Sequence, residues 1–151
     1  MEQTELQKQH NEDLLKVIYK NAQMGISGIK NIMPAVNDGK MRRALKKQEN
    51  KYIDISQSAS QKALAYEVEL KEINIFAKGM AYTSIKLKSL MDSTTSHLAD
   101  MLVQGTTMGI TDVIKKQSEN SLASEDISTL ARDLQKAEEE FVDTLKTFLA
   151  K

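Results

Sequence analysis

His97 and Asp100 stand one helical turn apart, and a histidine beside a carboxylate can hold a metal or move a proton. Three further places carry polar groups on otherwise apolar stripes: Asn21, the pair Glu49 and Tyr52, and Glu138. If the segments are helices whose inner faces meet, His97, Asp100, Glu49 and Glu138 form a weak candidate set for one divalent cation. Carboxylates would neutralise its charge and the imidazole would cap it. The competing arrangement is a metal-free polar core cluster of Asn21, Tyr52, Thr94, His97 and Gln104, satisfied by hydrogen bonds. Interiors of helical bundles hold such clusters more often than metals. The sequence is therefore read as having no catalytic residue and no cofactor, a single divalent metal being the alternative.

These groups centre on the stretch Met91–Gly109. At a period of 3.6 residues, Leu87, Leu90, Met91, Thr94, His97, Leu98, Met101, Gln104, Gly105, Met108 and Asp112 fall along one stripe, apolar at its ends and polar in its middle. His97 is expected to be a buried structural residue bonded to Thr94, Tyr52 or a carboxylate on a facing helix. Met24, Met33, Met91, Met101 and Met108 could suggest a soft-metal site, but unbranched thioethers more often fill core gaps. Gly105 and Gly109 each cost about 1 kcal/mol against Ala in a helix interior, so both are expected to mark close packing.

The elements that must position these groups are helices. The first is expected from Thr4 or Asn11 to Met33, ended by Pro34, with Leu14, Leu15, Ile18, Ala22, Gly25, Ile29 and Ile32 inward. Asp38 is the natural cap of a second helix over about 40–66, with Met41, Leu45, Gln48, Tyr52, Ile55, Ala59 and Ala63 inward. Arg42, Arg43, Lys46 and Lys47 lie on its outer face near the helix start, where positive charge is unfavourable. They suit an acidic partner or, more commonly, form a solvated face. Helical periodicity resumes at Ile75 and runs to Lys116 or Gln117. That is about 60 Å of helix, so the element overhangs or bends, the Asp92–Ser96 stretch being the weakest point. Ser124 followed by two acids opens a last helix with Ile127, Leu130, Leu134, Ala137, Phe141 and Leu145 inward and Glu138 as the polar intruder.

With 151 residues the chain fits a single domain over 1–151, residues 1–10 being a polar lead-in that can fray. Hydrophobic residues make up 40% and aromatics only 5%, with one proline, which favours helices over sheets. Twenty-one basic residues balance twenty-one acidic ones, so no overall field draws the protein to nucleic acid or anionic lipid. The absence of cysteine excludes disulfides, thiolate metal sites and cysteine nucleophiles. Neither a leader segment nor a membrane span is apparent, so the expected location is cytoplasmic. Phosphate loops and nucleophile elbows are missing too.

Ser96-His97-x-Ala99-Asp100-Met101 and Gln104-Gly105-x-x-Met108-Gly109 give the chain a resemblance to a small bacterial family of ferritin-like bundle proteins. That family more often carries Glu at the position of Asp100. The resemblance implies an all-α, ferritin-like four-helix bundle with a long third helix and brings no activity with it. A di-iron site of the wider superfamily needs a Glu from each of two helices and a Glu-x-x-His from each of the others. Its equivalents here would be Asn21, Glu49-x-x-Tyr52, Asp100 and Glu138-x-x-Phe141, with no Glu-x-x-His anywhere in the chain. Oxidase and ferroxidase chemistry is thereby disfavoured. The expected role is a non-enzymatic structural or interaction bundle. Ile75, Phe76, Met80, Tyr82, Ile85, Leu87 and Leu90 are apolar on more than one helical face, which points to a homodimer with Phe76, Tyr82 and Ile85 near the contact.

Overall fold

A computed structural model describes residues 4–71 and 94–150. They form four helices, α1 (Glu5–Ile32), α2 (Gly39–Ala65), α3 (Thr95–Glu119) and α4 (Glu125–Lys146), and no strand occurs among the described residues. A single 3-10 turn, Met33–Ala35, follows α1 because Pro34 cannot continue the helical ladder. Thr4 caps α1, its Oγ1 accepting from the Gln7 amide at 3.0 Å, so the helix claims most of the expected lead-in. Asp38 caps α2 through the Met41 amide at 2.9 Å.

The ends of α4 and α2 are less conventional. Ser124 does not cap α4 with its own side chain. Buried Asn11 of α1 accepts from the Ser124 amide at 2.7 Å and donates to its hydroxyl at 3.1 Å, tying the turn before α4 to α1. At the far end of α2, Glu67 takes φ 59°, and the Val68 amide reaches back to the Ala63 carbonyl at 2.8 Å. This is a left-handed helix stop, a position that glycine fills at no steric cost. Val68 then packs against the core and completes the motif.

Side-chain pairings set the direction of each helix. Gln23 meets Ser56, and Asn21 and His10 of α1 meet Gly109 and Leu122 at descending heights of the chain from α3 onwards. Tyr52 and Tyr66 of α2 meet Glu138 and Asp126, while Ser96 and Gln117 of α3 meet Leu149 and Gln135. Every neighbouring pair is therefore antiparallel, and α2 and α3 run the same way. It follows that Tyr66 and Thr94 lie at opposite ends of the bundle, whose helices are about 40 Å long by rise per residue.

Three helices bury the stripes read from sequence. Leu14, Leu15, Ile18, Ala22, Ile29 and Ile32 of α1, Met41, Leu45 and Ala59 of α2, and Ile127, Leu134 and Leu145 of α4 are all 2% exposed or less. Each large side chain so buried contributes about 1.5–3 kcal/mol. The third helix differs. It turns Leu98, Ala99, Thr106 and Val113 to the core, with Leu102 and Val103 packed beside them. Of the expected stripe, Leu98 is buried, His97 and Met101 are half-buried, and Thr94, Gln104, Gly105, Met108 and Asp112 face outward. Leu98, Leu102, Thr106, Gly109 and Val113 repeat at the same helical spacing and are more apolar, so burial favours them. The methionine expectation holds only in part: Met33 packs against the core and Met101 is half-buried, but Met24 and Met108 are 52% and 70% exposed, and it is Met41 that is fully buried. Met91, the continuation of α3 back to Ile75, and Asp92 of the expected weak point lie outside the described residues; the described part of α3 starts from the Thr94 cap.

Replacing Glu67 with Gly should stabilise the fold by about 0.5–1 kcal/mol, because a left-handed L-residue costs about 1–2 kcal/mol and glycine gives part of this back as unfolded-chain entropy. Urea unfolding of parent and variant checks this. A destabilised Glu67→Gly protein would mean that the Glu67 side chain holds the turn.

Candidate functional site

One polar layer crosses the core, and all four helices supply it. Glu138 of α4 is 1% exposed, among apolar neighbours, and its Oε2 accepts the Tyr52 hydroxyl of α2 at 2.8 Å. Tyr52, 2% exposed, can reach so far across because α1 has no side chain at Gly25: a Cβ there would overlap the phenol ring. Asn21 of α1 donates to the Gly109 carbonyl of α3 at 2.9 Å. Gly109 in turn must lack a side chain, since a Cβ would stand 2.9 Å from both Asn21 Oδ1 and Glu138 Oε2. Two glycines on two helices thus admit a phenol ring and an amide–carboxylate contact into a space that larger residues would fill.

The electrostatics follow from this burial. Loss of water raises the Glu138 carboxyl to about 7; the bonds from Tyr52 and Asn21 pull it back, and the Asp112 charge pushes it up again. The Tyr52 phenol is held well above its ordinary range, first by burial and then by the Glu138 charge and hydrogen bond. It stays protonated and donates. Among the described residues Glu138 Oε1 and Gln48 Nε2 are buried without a hydrogen-bond partner. Near neutral pH, then, this layer holds one carboxyl close to its midpoint and one phenol locked as a donor.

Other candidates from the sequence lie elsewhere. Glu49 is 5% exposed but turns towards the outer α1–α2 surface, where it accepts from Lys46 at 2.7 Å. Asp100 is exposed and receives the amide of Gln104, itself exposed, at 3.3 Å. Thr94 is an exposed helix cap whose hydroxyl accepts from the His97 amide at 3.4 Å. His97 is half-buried, and its Nε2 is buried without a hydrogen-bond partner among the described residues. Of the expected partners, the Tyr52 hydroxyl bonds Glu138 instead. Among the described residues no three His, Asp or Glu side chains converge on a point where one cation could sit.

Of the expected polar cluster, Asn21 and Tyr52 belong to the layer, and Thr94, His97 and Gln104 do not. Glu138, weighed in the sequence as a ligand, is its centre. Gly109 is a close-packing glycine. Gly105, expected to be another, faces open space: among the described residues no heavy atom lies within 4 Å of where its Cβ would sit. Four residues advance a helix by about 40° beyond a full turn, enough to carry Gly105 off the contact line. Gly25, on the inward stripe of α1, yields its space to an aromatic ring on a different helix.

Gly109→Ala should destabilise the fold by about 1–3 kcal/mol through overpacking, outweighing the ~1 kcal/mol that Ala gains over Gly in a helix. Gly105→Ala should stabilise by about 0.5–1 kcal/mol. Thermal unfolding distinguishes them, and equal stabilisation by both would contradict the tight Gly109 contact.

The raised carboxyl of Glu138 has a definite sign in the stability curve. The folded form binds its proton more tightly than the unfolded chain, so the contribution is full below about 4.5 and is lost as pH rises to about 7. The loss is at most about 3 kcal/mol. Glu138→Gln should remove this component. The stability difference, variant minus parent, should grow in favour of the variant between these pH values and then level off. A difference independent of pH would show that Glu138 titrates as an ordinary surface carboxylate.

No family model, curated protein or solved structure matches this chain.

Proposed function

We propose that this chain is a ferritin-like four-helix bundle acting as a non-enzymatic structural or interaction module that associates with a second copy of itself. The observation that carries the reading is the central polar layer. At the height where a di-iron bundle gathers carboxylates and imidazoles, this chain has one carboxylate, bound to a phenol and closed in by a glycine backbone and an amide. That layer is suited to holding four helices in register. The helix directions support the ferritin-like part, because α2 and α3 run parallel, the relation found in bundles with a long crossover.

A bundle with a degenerate metal or small-ligand site is the second reading, favoured by the buried, unpartnered Oε1 of Glu138. It is the weaker one, since His97, Asp100 and Glu49 stand on other surfaces. A cytoplasmic setting remains part of the proposal. No described helix is long and apolar enough to cross a membrane. Phe76, Tyr82 and Ile85, which the sequence puts near the self-contact, lie outside the described residues.

One preparation tests the proposal. Protein loaded anaerobically with ferrous iron, then exposed to air and desalted, should retain no stoichiometric metal and develop no oxo-bridged absorption. The same sample in light scattering should have the mass of a dimer, and Ile85→Glu should shift it towards monomer. Stoichiometric iron, or a parent that stays monomeric at high micromolar concentration, would overturn the respective part.

A further inference from the structure

Beyond that reading, the corner where α1 passes into α2 carries more positive charge than the carboxylate in its lining balances. Lys30 from the last turn of α1 and Arg42, Arg43 and Lys46 from the first turns of α2 surround an open groove of about 550 Å³, floored by Met33 and Pro34. Glu49 is the lone carboxylate of the lining, and Lys46 already neutralises it at 2.7 Å. Three cations are left over in a chain whose total charge is zero. They are placed differently. Arg42 is fixed, its Nη1 donating to the Met33 carbonyl at 3.2 Å and the Val36 carbonyl at 3.0 Å, which leaves its other guanidinium N–H groups free. Arg43 folds back over the start of α2, its Nη1 3.5 Å from where a Cβ on Gly39 would sit. The side chains of Lys30 and Arg43 have no ion pair or hydrogen bond within the described residues.

A guanidinium over a helix N-terminus adds positive charge where the helix dipole is already positive, and the capping carboxylate of Asp38 offsets it only in part. A pre-positioned guanidinium, a second one free to close and an ammonium opposite match an anion bearing several oxygens in fixed relation. We propose that this groove binds a compound carrying two or more linked phosphate groups. Arg42 and Arg43 would hold adjacent phosphates, and Lys30 would reach across from α1. A single carboxylate would engage only one of them. The phosphates could belong to a free polyphosphate or nucleotide, or to a phosphorylated lipid headgroup.

Titration calorimetry with inorganic tripolyphosphate on the intact chain is the test. The parent should bind one equivalent, more weakly as salt is raised. Lys30→Glu and Arg43→Glu should each weaken binding at least tenfold. Lys115→Glu, the same change of charge on α3 and outside the groove, should weaken it less than twofold. Thermal unfolding without ligand should be unchanged or higher in Arg43→Glu, which relieves repulsion at the start of α2; Lys30→Glu also loses a favourable charge at the end of α1 and is read by binding alone. Arg42 is left intact, since it also holds the end of α1. Parallel titrations with a nucleoside triphosphate and with vesicles containing a bisphosphorylated inositol lipid identify the source, and groove-dependent binding of either supports the proposal. No binding at physiological ionic strength, an equal loss in all three variants, or displacement of tripolyphosphate by equimolar poly-glutamate would overturn it.

Discussion

The hydrogen bond between the Tyr52 hydroxyl and Glu138 runs from one helix to another through the middle of an otherwise apolar core. A carboxylate there is costly to desolvate, and removing its partner would leave it stranded. The bond forms only at one height and one rotation of α2 against α4. Apolar side chains can slide by a fraction of a turn at modest cost, but this pair cannot. The remainder of the layer follows from it. Gly25 makes room for the ring, Gly109 makes room for the carboxylate, and Asn21 fills the space left beside them while taking up the Gly109 carbonyl. Each helix is thus indexed by one residue that only fits at this level.

The outer parts of the fold are set by more local chemistry. Thr4 and Asp38 cap their helices from their own side chains, whereas α4 relies on Asn11 from across the bundle. Arg42 closes the end of α1 by binding the Val36 carbonyl and sharing that of Met33, which also accepts from the Val36 amide. The same residue lines the cationic groove, so one guanidinium both finishes a helix and helps to define a surface. The surface ion pairs, such as Lys16 with Glu12 at 2.8 Å, are solvent-screened and add little by comparison.

Three helices were legible in the sequence because their stripes are unambiguous. In α1, α2 and α4 the apolar positions recur with few polar intruders, and Pro34, Asp38 and Ser124 mark the boundaries. In α3 two stripes compete. The polar one stands out through His97 and Gln104, yet it owes its apolar character to methionines that burial does not require. Leu98, Leu102, Thr106 and Val113 offered a face with better packing, and the core took it. The site was legible by residue type and not by partnership. Glu138, Tyr52 and Asn21 stand out as polar groups on apolar stripes, but which of them meet depends on relative helix heights, and no local pattern encodes those. The match of Gly25 to an aromatic ring on α2 is likewise a property of the assembled bundle.

The claim that this layer holds the bundle in register is tested most directly by a double-mutant cycle on Tyr52→Phe and Glu138→Gln, read by denaturant unfolding at pH 8. At that pH the carboxylate is mainly ionised, and a charge-assisted bond of this kind should couple the two sites by about 1.5–3 kcal/mol. The single variants should then fail to add. Additive losses, with no coupling beyond about 0.5 kcal/mol, would contradict the account and leave apolar packing alone to align the helices.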